Sequence, residues 1–293
     1  MICSNIIGGI GNQMFQYAAG RSLACAHGTE LYLDLRDYDE YRLHQGFELN
    51  EVFKCNPRVA TQSEIYGYFG WRSIKLAKKM LCQPCASHLR GRHYIVEPHF
   101  HYWPDFFSLS NNVYLRGYWQ SEKYFEQIAD VIRSDFEFSS LLMGKNNDIA
   151  SLMCKTHSVS VHVRRGDYVT NATTNRVHGV CSLEYYLKAI EFISQRIESP
   201  VFYFFSDDMP WVRKNLIVKH KCNFIEHNID AQSFIDMRLM SLCQHHIIAN
   251  SSFSWWGAWL GKNREKIVIA PERWFRLPSI NTQDVCPASW IRL

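Results

Sequence analysis

Apolar and polar positions follow two different periods along the chain. A short apolar run ending at Ile6-Ile7 meets the loop Gly8-Gly9-Ile10-Gly11, and from about Asn12 to Ala26 the positions Met14, Tyr17, Ala18 and Leu23 fall broadly on one helical face. Gly28 stands where a helix C-cap belongs. Leu31, Leu33 and Leu35 alternate with Tyr32 and Asp34, so the whole predicts strand, loop, helix, strand: a parallel βαβ unit. From about Ser158 the runs change character. A β-branched run at 159–163, a helical stretch at 183–197, an apolar strand at 201–205, a helix at 231–243 and short strands at 247–249 and 267–270 predict a second parallel sheet covered on both faces. The polar, turn-prone Gly144-Lys-Asn-Asn-Asp148 places the boundary near residue 150, giving an α/β chain with domains 1–150 and 151–293.

Composition narrows the partners. Of 293 residues, 47% are hydrophobic and 20% charged, as in soluble globular proteins, and the formal charge of +4 is far below that of a dedicated nucleic-acid binder. No stretch reaches the roughly 20 apolar residues of a membrane span, and the first 30 residues lack a secretory core, so a cytoplasmic location is expected unless a longer precursor was trimmed. The ten scattered cysteines read as free thiols; Cys82-Gln-Pro-Cys85 has no second pair to complete a zinc site. Asn171-Ala-Thr173 and Asn250-Ser-Ser252 match the glycosylation pattern, which carries no meaning in that location. Residues 65–96 contain no acid but six lysines and arginines, and if 72–81 is helical, Ile74, Ala77 and Leu81 share a face. The segment 72–92 is either a solvated basic helix or a peripheral foothold on the inner face of an anionic membrane.

Three strand ends carry the chemistry. Val161-His-Val-Arg-Arg-Gly-Asp-Tyr168 leaves its strand at Gly166, and side-chain alternation sends His162 and Arg164 to one face and Arg165 to the other, so the arginines straddle the strand end. Paired guanidiniums at the carboxyl end of a parallel strand suit a diphosphate, and an ion-pair cluster is the bland alternative. The 201–205 strand ends in Ser206-Asp207-Asp208 with Pro210 following, which makes one aspartate a helix N-cap and leaves the other for a base or ribose. Asn250-Ser251-Ser252-Phe253-Ser254 precedes Trp255-Trp256-Gly257-Ala258-Trp259-Leu260, small hydroxyl residues at a helix start that form an anion site; the tryptophans read as core rather than as a sugar platform. Gly9-x-Gly11 with Asp34 is a partial dinucleotide fingerprint, with Met14 where a small residue belongs, and leaves an NAD(P)-dependent oxidoreductase as the alternative.

Four motifs together, Gly8-Gly-Ile-Gly-Asn-Gln-Met-Phe-Gln-Tyr17, His162-Val-Arg-Arg-Gly-Asp-Tyr-Val169, Phe205-Ser-Asp-Asp208 and Asn250-Ser-Ser-Phe-Ser-Trp-Trp-Gly-Ala-Trp-Leu260, resemble in order and spacing the bacterial α-1,2-fucosyltransferases of glycosyltransferase family 11. The resemblance runs nearly end to end, through Gly117-Tyr-Trp-Gln-Ser-Glu-Lys-Tyr-Phe125, His178-Gly-Val-Cys-Ser-Leu-Glu-Tyr-Tyr186 and Trp290, with few landmarks in 36–110. It implies a GT-B-like fold of two Rossmann-like domains facing across a cleft, with GDP-fucose held by the C-terminal one and the acceptor met mostly by the N-terminal one. The last twenty or so residues pack back on the N-terminal domain in this expectation, and no metal is required.

Carried over by position, the resemblance makes Arg164 the chief diphosphate contact with Arg165 in support, His162 and Asp208 partners of the guanosine, and Ser251, Ser252 and Phe253 the loop around the phosphates. Gly11, Asn12 and Gln13 match a loop that closes over the donor. Arg164, Asn12 and Asp167 are the catalytic candidates; a general base is expected near Gly11-Asn12, and Asp167 serves either as that base or to orient the arginines. The implied reaction is inverting transfer of L-fucose from GDP-β-L-fucose to the 2-hydroxyl of a terminal galactose in an oligosaccharide, a lipid-linked surface-polysaccharide intermediate among them. A binding module without turnover is the third reading.

Overall fold

The computed structural model describes residues 1–40, 45–229 and 232–293, and of Asp167 the backbone alone. The chain divides into two units, Met1–Ser139 and Ser140–Leu293. Each is a parallel-sheet α/β unit of the kind expected for a GT-B-like fold.

In the first unit β1 (Ile2–Asn5), β2 (Leu31–Asp34), β3 (Arg58–Val59), β4 (Tyr94–Val96) and β5 (Val113–Arg116) lie in the order β3-β2-β1-β5-β4. All neighbours are parallel, with Ile2 of β1 in register with Leu31 and Val113. The helix Ile10–Ala26 is buried on more than the one face its spacing predicts: Phe15 packs on Phe125 and Tyr17 on Phe136, so a second layer covers it. Gly20 lets it lie close on β1, since a Cβ there would stand 2.2 Å from Ser4 Oγ. Gly28 takes φ +59° just past the helix, as a C-terminal cap requires. Leu35 does not extend β2, because the Asp34 carboxylate accepts from both Arg36 N (3.1 Å) and Arg36 Nε (2.8 Å) and turns the chain.

In the second unit β6 (Ser158–Val163), β7 (Val201–Ser206), β8 (Lys221–Ile225), β9 (His245–Ile247), β10 (Val268–Ala270) and β11 (Ile291–Arg292) lie in the order β11-β10-β9-β6-β7-β8, again all parallel. The helix Leu183–Ser194 and the apolar strands it crosses form the core. The helix Phe234–Leu242 fills the expected 231–243, with Ala231 outside the described residues. The tryptophans of the helix Ser252–Leu260 are core: Trp255 packs at a tilt on Trp290, ring centroids 5.3 Å apart, and its Nε1 donates to Val285 O at 2.7 Å.

Two expectations change. The division falls at 139/140 rather than near 150, because the glycine and asparagines of 144–148 form the first turns of the helix Gly144–Cys154. At the chain end β11 pairs with β10, and Leu293 N donates to Ala270 O. In the basic segment the helix Lys75–Leu81 buries Leu81, as the spacing predicts, but it also buries Lys78 and leaves Ile74 exposed.

Lys78 turns inward because β2 ends in a buried carboxylate. Its Nζ lies 3.0 Å from Asp34 Oδ2 and 2.8 Å from Asp37 Oδ1, with Arg36, Arg116 and Tyr114 completing the cluster. Burial alone would raise the Asp34 carboxyl, but the hydrogen bond from Arg36, the Lys78 charge and the Tyr114 hydroxyl outweigh it and hold it well below the usual range. Removing one partner from such a buried cluster leaves a charge uncompensated, so Lys78→Ala is expected to cost about 3–5 kcal/mol in urea denaturation. Because the folded carboxyl titrates below its unfolded value of about 4, the wild-type advantage over Lys78→Ala is complete above that pH and shrinks as acid protonates the cluster.

Candidate functional site

Both sheets reverse direction beside their first strand, β6 lying between β7 and β9 in the second unit. Loops from such neighbours splay apart at the carboxyl edge and leave a crevice. The loops after β6, β7 and β9 carry nearly every site residue expected of the second unit.

After β6, Arg164 Nη1 lies 2.9 Å from Asp207 Oδ2 and Arg165 Nε 3.0 Å from Asp208 Oδ2. Both arginines therefore lean toward the β7 loop, and the expected straddle does not occur: the strand ends at Val163, and the Arg165 amide donates to Asp207 Oδ1 at 2.8 Å. Gly166 permits this, since a Cβ would meet Asp207 Oδ2 at 2.6 Å. Arg164 sits 5.6 Å over the Tyr168 ring and Arg165 4.1 Å over Trp211, so the guanidinium planes are held by aromatic faces as well as by charge. Asp208 is the N-cap, its Oδ1 accepting from Trp211 N at 3.1 Å. Asp207, one of the two aspartates that the strand end offers for an N-cap or for a base or ribose, braces Arg164. The Asp167 side chain lies outside the described residues.

His162 is buried at the end of β6, its ring 5.8 Å from Phe253, and its Nδ1 has no hydrogen-bond partner among the described residues. Burial pushes its imidazole down to about 4, Asp207 opposing and Arg164 adding to the effect. After β9, Ser251 N-caps the tryptophan helix without a side-chain bond to its first turn. Asn250 holds this loop in place: its Nδ2 donates to His178 O, Gly179 O and Trp274 O, while its backbone carbonyl accepts from Tyr168. Ser252 and Phe253, half-buried, open the helix. Beside Asn250 the structure has a hollow of about 620 Å³ lined also by His178, Gly179, Cys181 and Arg276 among others.

In the first unit the glycine loop follows β1. Gly8 takes φ +93° over Asn12, and its carbonyl accepts from Gln13 Nε2 (3.0 Å) and Tyr38 (2.7 Å). Gln13 is buried, its amide bridging Gly8 O, Gly46 O and Glu48 N, so it shapes the loop from beneath. Gly11 is buried as well, and Asn12 Oδ1 accepts from Gln120 Nε2 at 2.8 Å. Asp34, the acid of the dinucleotide fingerprint, has no surface exposure and is held by Arg36, Lys78 and Tyr114, which removes the residue that would bind a ribose.

Glu97 is the acid the sequence reading missed. It follows β4 and accepts from the Tyr118 and Trp119 amides at 2.6 and 3.0 Å, on the loop that reaches Asn12 through Gln120. Gly117 has no room for a Cβ against it, and Trp119 adopts φ +55°, a strained conformation for a bulky residue. Burial raises its carboxyl to about 7 against the lowering effect of the two amides. The single available signal was a glutamate just after an apolar strand in the stretch with few landmarks.

Two compact parallel-sheet units, the second with arginines and a helix start at its switch point, have the architecture in which open α/β sheets hold ligands at the carboxyl edge. A model of glycosyl transferase family 11 matches residues 96–293. The chain is 36% identical to an alpha-1,2-colitosyltransferase of Escherichia coli, over all of this chain and 99% of that one. It is 33% identical to the O-antigen biosynthesis glycosyltransferase WbnK of Escherichia coli, over 99% of each. The crystal structure of fucosyltransferase NodZ from Bradyrhizobium superposes with a TM-score of 0.51 at 15% identity, over 87% of this chain and 91% of that one, a likeness of fold. The chain belongs to glycosyltransferase family 11.

An unfolded histidine takes up a proton near pH 6.5 and the folded His162 only near 4, so its contribution to stability is complete above about 6.5 and is lost as pH falls toward 4. His162→Asn is expected to flatten the decline of unfolding free energy between neutral and mildly acid pH, measured by urea denaturation. Asp207→Asn, removing a half-exposed pair, is expected to cost no more than about 1 kcal/mol in the same assay.

Proposed function

We propose that the protein transfers L-fucose from GDP-β-L-fucose to the 2-hydroxyl of a terminal galactose, forming an α-linkage with inversion. The observation that carries this reading is the pair of arginines on the β6 loop, braced by the aspartates of the β7 loop, at the same sheet edge as the start of the helix Ser252–Leu260. The full-length similarity to an α-1,2-glycosyltransferase of the same family supports the linkage.

A β-linked donor and an α-linked product require one displacement. The galactose O2 attacks C1 of the fucose, the bond from C1 to the phosphate oxygen breaks through an oxocarbenium-like state, and GDP leaves with the electron pair. Negative charge grows on the β-phosphate, where Arg164, steadied by Asp207 and Tyr168, and the first-turn amides of the tryptophan helix stabilise it. No metal is needed in this scheme. The orphan Nδ1 of neutral His162 and the Ser251–Phe253 loop serve the guanosine diphosphate, with Arg165 and Asp208 holding the β7 loop beside it.

Glu97 receives the proton of the attacking hydroxyl. Its carboxyl titrates near 7, where a base is both partly ionised and strong enough to accept a proton. Tyr118 and Arg116 are the titratable and charged neighbours on the adjoining strand and loop. Asn12, bonded to Gln120 of the same loop, positions this edge. The acceptor class includes lipid-linked glycans, and the ten free cysteines fit a cytoplasmic site of action.

A second donor, GDP-colitose, is favoured by the named activity of the 36%-identical relative; colitose is fucose without the 3-hydroxyl. A site that hydrogen-bonds that hydroxyl rejects the deoxy sugar strongly. With lactose as acceptor and excess EDTA present, GDP release from GDP-fucose is expected to exceed that from GDP-colitose by at least about tenfold in kcat/KM, with NMR showing an α-1,2 product. The opposite ratio transfers the donor assignment to colitose, and loss of activity in EDTA removes the metal-independent scheme. Glu97→Gln is expected to lower kcat about 100-fold or more and to abolish the rise in rate through pH 7, with GDP affinity retained as the check on folding. An unchanged pH profile would exclude Glu97 as the base.

A further inference from the structure

Residues 62–81 fold as the helix Gln62–Phe69, the turn Gly70–Ser73 and the helix Lys75–Leu81. Ile65, Phe69 and Leu81 point into the first unit, and Lys78 is anchored on Asp34 and Asp37. What the segment presents outward is unusual for a soluble surface. Tyr66, Tyr68, Trp71, Ile74, Leu76 and Met80 are all exposed, Leu76 to 80%, so six of the nineteen exposed large hydrophobic side chains among the described residues fall within residues 66–80. Scattered single apolar residues need no explanation, whereas such a concentration marks an interaction surface.

The charges on the same segment are of one sign. Residues 65–96 contain no aspartate or glutamate, and Lys79 and Arg92 are exposed. Arg72 lies 5.0 Å over the Trp71 ring, and Lys75 is paired with the exposed Glu40. Tryptophan, tyrosine and aliphatic side chains with lysine and arginine beside them suit the boundary of a bilayer, where rings sit at headgroup level and cations meet anionic lipid. A second copy of the chain fits poorly, because a two-fold contact through this face would set the acid-free segment against itself.

We propose that the face formed by residues 66–80 docks on a membrane surface containing anionic lipids, with Trp71, Ile74, Leu76 and Met80 entering the headgroup boundary and Lys79 and Arg92 meeting lipid phosphates. The apolar side chains are the decisive addition to the basic charge: in the fold Lys78 faces inward, so attraction alone is weaker than the lysine count implies. This inference is independent of the donor and acceptor of the reaction.

The test is co-sedimentation of the full chain with vesicles of phosphatidylcholine, with and without phosphatidylglycerol, at low and high salt. Wild type is expected to bind the anionic vesicles and to lose most of that binding with salt. Leu76→Ser combined with Trp71→Ser is expected to reduce partitioning at least about tenfold, as is Lys79→Glu with Arg92→Glu. Leu141→Ser with Ile217→Ser, equally exposed but elsewhere, is expected to leave it unchanged. Absence of wild-type binding, or equal binding by both patch variants, overturns the proposal. So does a dimer in analytical ultracentrifugation that the Leu76 and Trp71 substitutions dissociate without any vesicle binding, which would make the face a contact between copies.

Discussion

In a parallel sheet each strand must be reached by a crossover from its neighbour, so every strand leaves at the same edge. This constraint organises both units. It brings Arg164, Asp207 and Ser251, more than 80 residues apart at the extremes, to the ends of the adjacent strands β6, β7 and β9. It likewise brings Asn12, Glu97 and Gln120 together beyond β1, β4 and β5. The central strands β1 and β6 are wholly buried, so the exposed polar groups gather in the loops at one end.

The two ion-pair systems illustrate how burial decides what a charge does. Asp34 and Lys78 are withdrawn from water, and the cluster they form anchors a helix to β2. Arg164 and Arg165 pair with aspartates in half-exposed settings, where the energy gained is small and geometry is the larger effect. Aromatic faces under both guanidiniums and the absent side chain of Gly166 complete that geometry. The carboxylates fix the orientation of both guanidinium forks, the arrangement that the proposed reading sets against a diphosphate.

Several departures from the expected pattern have the same origin, a partner distant in sequence. Helical periodicity places Ile74 inward and the lysines outward, but Lys78 reaches the buried Asp34 carboxylate, which Arg36 and Tyr114 also bond, and so turns inward. Gln13, within the glycine-loop motif, ties Gly8 to Gly46 and Glu48 through its amide, partners that lie far along the chain. The chain end adds a strand beside β10, which no local pattern around Ile291 announces.

By itself the sequence determined the parallel α/β class, the helices at 10–26, 183–194, 234–242 and 252–260, the strands β1, β2, β6, β7, β9 and β10, and the family. These follow from local periodicity and from glycines and prolines at fixed offsets, which act over a turn or two of chain. Only the tertiary structure decided which aspartate braces an arginine and which caps a helix, that the acid of the dinucleotide fingerprint is already bound, and that Glu97 is a desolvated carboxylate beside the Asn12 loop. Burial and hydrogen bonding to a strained loop are properties of neighbours brought together by the sheets, and the identity of the residue alone does not contain them.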